Sequence, residues 1–179
     1  MLALQLVRPY TKAAVMRVYL PLTLPALAAV HRQRELGPGP LAAYAVTPAL
    51  RAWYGSDDLE ELEYVALGCA AQASLRLLAQ DQAAPRRRVV LAADVADASV
   101  AAADGSGDPD AVGEVVVAGP VVLTEAAAVH LDAPDAGPDV AAASEAAAGA
   151  GDEGARAAAD AADDHELLWY AVQELEHLL

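Results

Sequence analysis

Two threonines stand just ahead of helix-starting prolines, Thr23 before Pro25 and Thr47 before Pro48. A threonine hydroxyl caps a helix start, and the unpaired N–H groups there favour an anion. Arg51 and Tyr54 follow Thr47 closely and would add a guanidinium and a phenol. Asp94 and Asp132 each close an apolar run of strand length. Two carboxylates on one strand edge are ligands suited to Mg²⁺. If residues 17–20 and 41–46 form a right-handed parallel unit through the intervening helix, Thr23 and Thr47 share a sheet edge. Asp94 and Asp132 reach that edge too if their strands run parallel to the first two. Open sheets bind ligands at such edges, so Thr23, Thr47, Arg51, Tyr54, Asp94 and Asp132 form a candidate site for a small phosphate-bearing anion. The simpler reading makes the threonines plain caps and the aspartates plain loop starts. The chain has no glycine-rich phosphate loop to argue otherwise.

Other reactive groups carry less. The single cysteine, Cys69, excludes an internal disulfide and a multi-cysteine zinc site, and it falls in an apolar helical pattern that suits a buried thiol. His165 and His177 on one helix would lie about 18 Å apart, too far to share a metal. Counted from Asp104, a calcium loop would need glycine where Pro109 stands and glutamate where Val115 stands. His31 and His130 have no visible nucleophile partner, and no serine sits in a Gly-x-Ser-x-Gly turn. No catalytic signature emerges and no cofactor is called for. The expectation is a binding or interaction module without catalysis. The alternative is an enzyme or ligand-binding protein acting on the small anion above, with or without Mg²⁺.

Charge bounds the partners. Residues 1–93 carry 10 basic and 7 acidic side chains, whereas residues 94–179 carry 19 acidic ones and a single base, Arg156. The total of −15 repels nucleic-acid phosphates and anionic membrane surfaces. Arg86-Arg87-Arg88 is the one basic cluster, and a strand would split it between two faces. The partner expected is an unknown protein or a small anion, with neither nucleic acid nor membrane. Arg8, Lys12 and Arg17 ahead of an apolar run imitate a secretory signal, but Pro21 and Pro25 interrupt that run. A cytoplasmic domain starting near Met16 is expected, with residues 1–15 a disordered extension. Phe, Ile and Asn are absent, which points to a G/C-rich coding background in which much alanine is drift. Tyrosine survives that bias six times, so Tyr19, Tyr44, Tyr54, Tyr64 and Tyr170 are expected in core or cleft positions.

The elements that must position these groups follow from periodicity. Strands are expected at 17–20, 41–46, 89–93 and 114–118, with a weaker one at 128–131. Helices are expected after Thr23, from Thr47 to about Tyr54, and over 57–79, the last with Asp57 and Glu60 at capping-box spacing. Residues 163–179 read as an amphipathic helix begun by Asp163 and Glu166, or as a strand at 167–172 followed by a helical turn. Either form should dock on the core. The Ala/Asp/Gly-rich stretches 95–113 and 133–163 read as mobile acidic insertions, with a short helix over 140–148 allowed. The fold class is then α/β or α+β, one domain over 16–179 with a single mixed sheet of about five strands and packed helices.

Several pieces recur in one order: Met16-Arg17-Val18-Tyr19-Leu20-Pro21, Ala45-Val46-Thr47-Pro48-Ala49-Leu50-Arg51, Glu61-Leu62-Glu63-Tyr64-Val65-Ala66-Leu67, Arg87-Arg88-Val89-Val90-Leu91-Ala92-Ala93-Asp94, Ala128-Val129-His130-Leu131-Asp132 and Trp169-Tyr170. They resemble a family of small uncharacterised actinobacterial proteins. The resemblance implies an intact, non-secreted domain that starts near Met16, and it brings no activity with it.

Overall fold

The computed structural model describes residues 14–103, 112–149 and 153–179. In chain order the elements are β1 (Val15–Leu22), α1 (Leu24–Gln33), β2 (Glu35–Leu36), β3 (Leu41–Ala45), α2 (Pro48–Tyr54), α3 (Leu59–Gln80), β4 (Val89–Ala96), β5 (Val100–Ala102), β6 (Glu114–Val117), β7 (Val121–Val122), β8 (Ala126–Leu131), α4 (Gly137–Ala147), α5 (Glu153–Asp163), β9 (Leu168–Tyr170) and α6 (Leu175–Leu178). One sheet has seven strands in the order β5-β6-β3-β1-β4-β8-β9, and β2 and β7 form a separate two-residue ladder. Every neighbouring pair is antiparallel.

Period-2 patterning sends alternate side chains to opposite faces. On one face Tyr19, Tyr44, Val90, Ala92 and Ala128 lie against Leu62, Ala66, Ala70 and Ala73 of α3. The alanines let this 22-residue helix lie close to the strands. Ser74, fully buried on α3, donates to the Leu22 carbonyl (2.7 Å) and accepts the Val89 N–H (3.1 Å), which ties the helix to the ends of β1 and β4. On the other face Val18, Leu20, Leu91 and Val129 join Leu27 and Val30 of α1 and Leu175 of α6 in the larger core.

Several expectations need correction. The sheet has seven strands rather than about five, because β5 carries too little pattern to stand out and β9 lies in the tail that read as either helix or strand. The first two long strands are antiparallel, with Val18 opposite Ala45. Ten helical residues rise only about 15 Å. The run from Arg34 to Pro40 then returns the chain to the end it left, pressed so closely on residue 118 that a Cβ on Gly39 would meet the Ala118 carbonyl at 2.5 Å. The N-cap of α3 is Asp58, which accepts the Glu60 and Glu61 N–H groups, not Asp57.

The stretch 133–163 holds two helices instead of a loose insertion. Ala136, Val140, Ala143 and Ala162 are buried with Leu75, Leu78 and Ala84. Large apolar anchors proved unnecessary, since small side chains on facing helices allow near contact. Residues 1–13 and 104–111, on which part of the two expected disordered or mobile segments fell, lie outside the described residues. Of the two forms weighed for the tail, the strand followed by a helical turn is the one present: β9 pairs with β8, and Leu175 is fully buried. Asp163 ends α5 and caps nothing. No helix of the described residues is long and apolar enough to cross a membrane.

Candidate functional site

Antiparallel pairing divides the expected site between two ends of the sheet. Leu22, Val89 and Leu131 stand abreast at one end, which places Thr23 and Asp132 there. Arg17 and Asp94 pair at the other end, where Thr47 follows Ala45. The threonines are caps, Thr23 Oγ1 accepting the Ala26 N–H (3.4 Å) and Thr47 Oγ1 the Leu50 N–H (3.1 Å). A shared Thr23/Thr47 edge with both aspartates therefore does not form, because it required parallel strands.

At the Asp94 end, Arg51 and Asp94 do line one cleft of about 300 Å³, together with Arg17 and Glu63. Arg17 grips both Asp94 oxygens (Nε–Oδ1 2.6 Å, Nη2–Oδ2 3.0 Å) and holds the carboxyl below its ordinary pKa through those hydrogen bonds. Behind it, burial pushes the Tyr19 phenol up to about 12. Arg51 leans on the Asp57 carbonyl at 3.4 Å, and Tyr54 is exposed beside Trp53. Asp94 is thus occupied by a cation of its own chain. Among the described residues no three His, Cys, Asp or Glu side chains gather as a metal site.

At the opposite end Asp132 meets Arg88, which the sequence showed only as part of a basic cluster. Both are buried, Asp132 completely. Arg88 Nε and Nη2 donate to the Asp132 carboxylate at 3.0 and 2.9 Å, and the Arg88 backbone N–H adds a third bond at 2.6 Å. Nη2 also donates to the carbonyls of Ala162 and His165, and Nη1 to Asp163 at 2.8 Å. The guanidinium therefore fastens β4, the end of β8 and the last turn of α5 to one another. Burial raises the pKa of Asp163, against the hydrogen bond it accepts from Gln72. Arg86 turns to the Leu78 and Gln82 carbonyls and Arg87 to that of Asp132, so the basic triplet is spent inside the fold.

The open region lies on the outer face of α3. Two clefts, of about 290 and 540 Å³, adjoin across that helix and share Gly68 and Asp163 in their walls. Tyr64, Leu67 and Leu167 border the smaller one, with Arg88 at its base. Trp53 of α2, Val65 and Gln72 of α3, and Arg156 of α5 border the larger one, which also takes in Arg76. Trp53 and Tyr64 are 59% and 66% exposed, large apolar area left in water beside a concave surface. Gly68 forms the saddle between the clefts. Glycine inside a helix costs about 1 kcal/mol relative to alanine, yet a Cβ added there would meet nothing within 4 Å. No packing within the described residues demands it, and its effect is to leave the helix backbone bare where the clefts meet.

Sequence reading missed Gly68, Arg76, Arg88, Arg156 and Asp163 as a group. Two signals were present. Arg156 is the only Lys or Arg of the acidic half, and Arg88 directly precedes the apolar run 89–93.

The fold defines an antiparallel α+β protein with a seven-stranded main sheet, helices on both of its faces and an open helical saddle. The chain belongs to a family of unknown function (DUF6912), whose family model matches residues 16–179. No curated protein and no solved structure matches the chain.

Proposed function

We propose that the protein is a non-catalytic binding module that receives its ligand across the Gly68 saddle. The observation that carries this is the bare helix backbone at Gly68 between two clefts, flanked by the exposed rings of Trp53 and Tyr64. Support also comes from how the buried and half-buried polar side chains are used. Arg17 with Asp94, Arg88 with Asp132 and Asp163, and His165 with Asp139 satisfy one another, which suits a rigid scaffold better than acid–base work. A cytoplasmic setting belongs to this reading.

A thermal-shift panel of nucleotides, sugar phosphates, aromatic acids and divalent ions tests it. Compounds that raise the melting temperature of the wild-type protein are expected to lose that effect in Gly68→Gln, whose side chain projects over the saddle. Stabilisation that survives Gly68→Gln overturns the reading. A second reading, a small-anion site at the other end of the sheet, is favoured by Arg51 and Asp94 lining one cleft. Loss of the shift in Arg51→Ala, with Gly68→Gln unaffected, would select it.

A further inference from the structure

We infer that the larger cleft takes a small planar ring bearing one anionic group, a phosphate monoester or carboxylate, with the ring against Trp53 and the anion between Arg76 and Arg156. This rests on the binding reading above and specifies the ligand for one side of that saddle. The seven-residue helix α2 is pinned by the fully buried Leu50 and ends on Gly55 in the left-handed conformation. That rigid mount offers the Trp53 indole to the cleft. Tyr54, its ring neighbour, lies 6.4 Å away at 36°, so the indole is not consumed by a parallel stack within the fold.

The two arginines differ from Arg17, Arg51 and Arg88, which line neighbouring clefts and are each held in an ion pair. Neither Arg76 nor Arg156 forms an ion pair among the described residues. Arg76 Nη2 donates to the Tyr44 hydroxyl at 2.9 Å, which holds the head while leaving its other N–H groups for a ligand. Arg156 stands one turn before Asp160 and makes no bridge to it, although both border the cleft. Asp163 has its two oxygens turned to Arg88 and Gln72. Arg76 and Arg156 thus balance Asp160 and Asp163 in the charged lining of the cleft, and the oxygens of Asp163 are already engaged, on a chain of net charge −15. A guanidinium fork matches a phosphate or carboxylate. The surrounding negative field acts against polyanions, so a monoester is favoured over a triphosphate. The volume of about 540 Å³ lies within the range of ligand pockets, and Leu50 and Val65 supply apolar wall.

Isothermal titration of the full chain with phenyl phosphate, AMP, ATP, adenosine and inorganic phosphate tests the inference. Phenyl phosphate or AMP is expected to bind saturably, at least about tenfold tighter than inorganic phosphate or ATP. Arg156→Gln, an exposed change that breaks no side-chain bond among the described residues, should weaken the ring monophosphate about tenfold and leave adenosine unchanged. Trp53→Ala should weaken both. The inference is overturned if neither monophosphate saturates below about 10 mM, or if Arg156→Gln leaves their affinity intact. Ligands lost in Gly68→Gln but indifferent to Arg156→Gln would retain the saddle and discard the ring anion. Ligands indifferent to Gly68→Gln would discard the saddle itself.

Discussion

Arg88 and Arg156 are the same residue type in opposite circumstances. Arg88 is buried and spends its fork on Asp132, Asp163 and two carbonyls. Arg156 is exposed beside a cleft and has no ion-pair partner among the described residues. The first sums to a structural joint, the second to an available charge. In an acidic chain with few bases, which arginines are left unspent says more about function than where basic residues cluster in sequence.

The largest effect should come from breaking the joint. Arg88→Met leaves Asp132 buried without its cation, and a loss of about 3–5 kcal/mol is expected in urea unfolding. A loss under about 1 kcal/mol would mean the joint is ornamental and the contrast with Arg156 false. Next comes Leu175→Ala in the closing tail, expected to cost about 2–5 kcal/mol because the side chain is fully buried in the larger core. Unchanged unfolding would show that the tail does not close that face.

Gly68→Ala sharpens the comparison from the other side. It should stabilise the fold by up to about 1 kcal/mol while leaving Arg88 undisturbed. A melting temperature that falls would mean that the glycine serves packing after all. The smallest effect belongs to the Arg17–Asp94 pair, whose side chains are 36% and 43% exposed, so solvent screening limits it to less than about 1 kcal/mol. The folded Asp94 pKa lies below its ordinary value. Its contribution is therefore present above the unfolded carboxyl pKa and is lost as pH falls through the lower folded value. Asp94→Asn should abolish that acid-side slope, and an unaltered slope between the two proteins contradicts the assignment.

Periodicity made the central strands legible, because β1, β3, β4, β6 and β8 bury alternate or continuous apolar side chains. The proline-started helices were legible through Thr23 and Thr47. Strand direction was not, since it depended on how the Arg34–Pro40 return cancels α1, and no local propensity encodes that. The expected site fell apart for the same reason: Asp94 and Asp132 close neighbouring strands that run opposite ways. Helix α4 was legible only as a short helix allowed over 140–148 and α5 was missed, because their buried side chains are Val140, Ala143, Ser144 and Ala162, a composition that also describes solvated spacers. Gly68 drew no notice within a long alanine-rich helix, where a missing methyl group gains meaning only once the clefts on either side are seen.

Arginine side-chain NMR places both circumstances in one spectrum, by following the Nε–H signals of uniformly ¹⁵N-labelled protein as phenyl phosphate is added. The account predicts an Arg88 signal that is protected from hydrogen exchange and unmoved, and an Arg156 signal that exchanges rapidly in the free protein and shifts with ligand. A rapidly exchanging Arg88, or an Arg156 signal indifferent to the ligand while Arg88 moves, would contradict it.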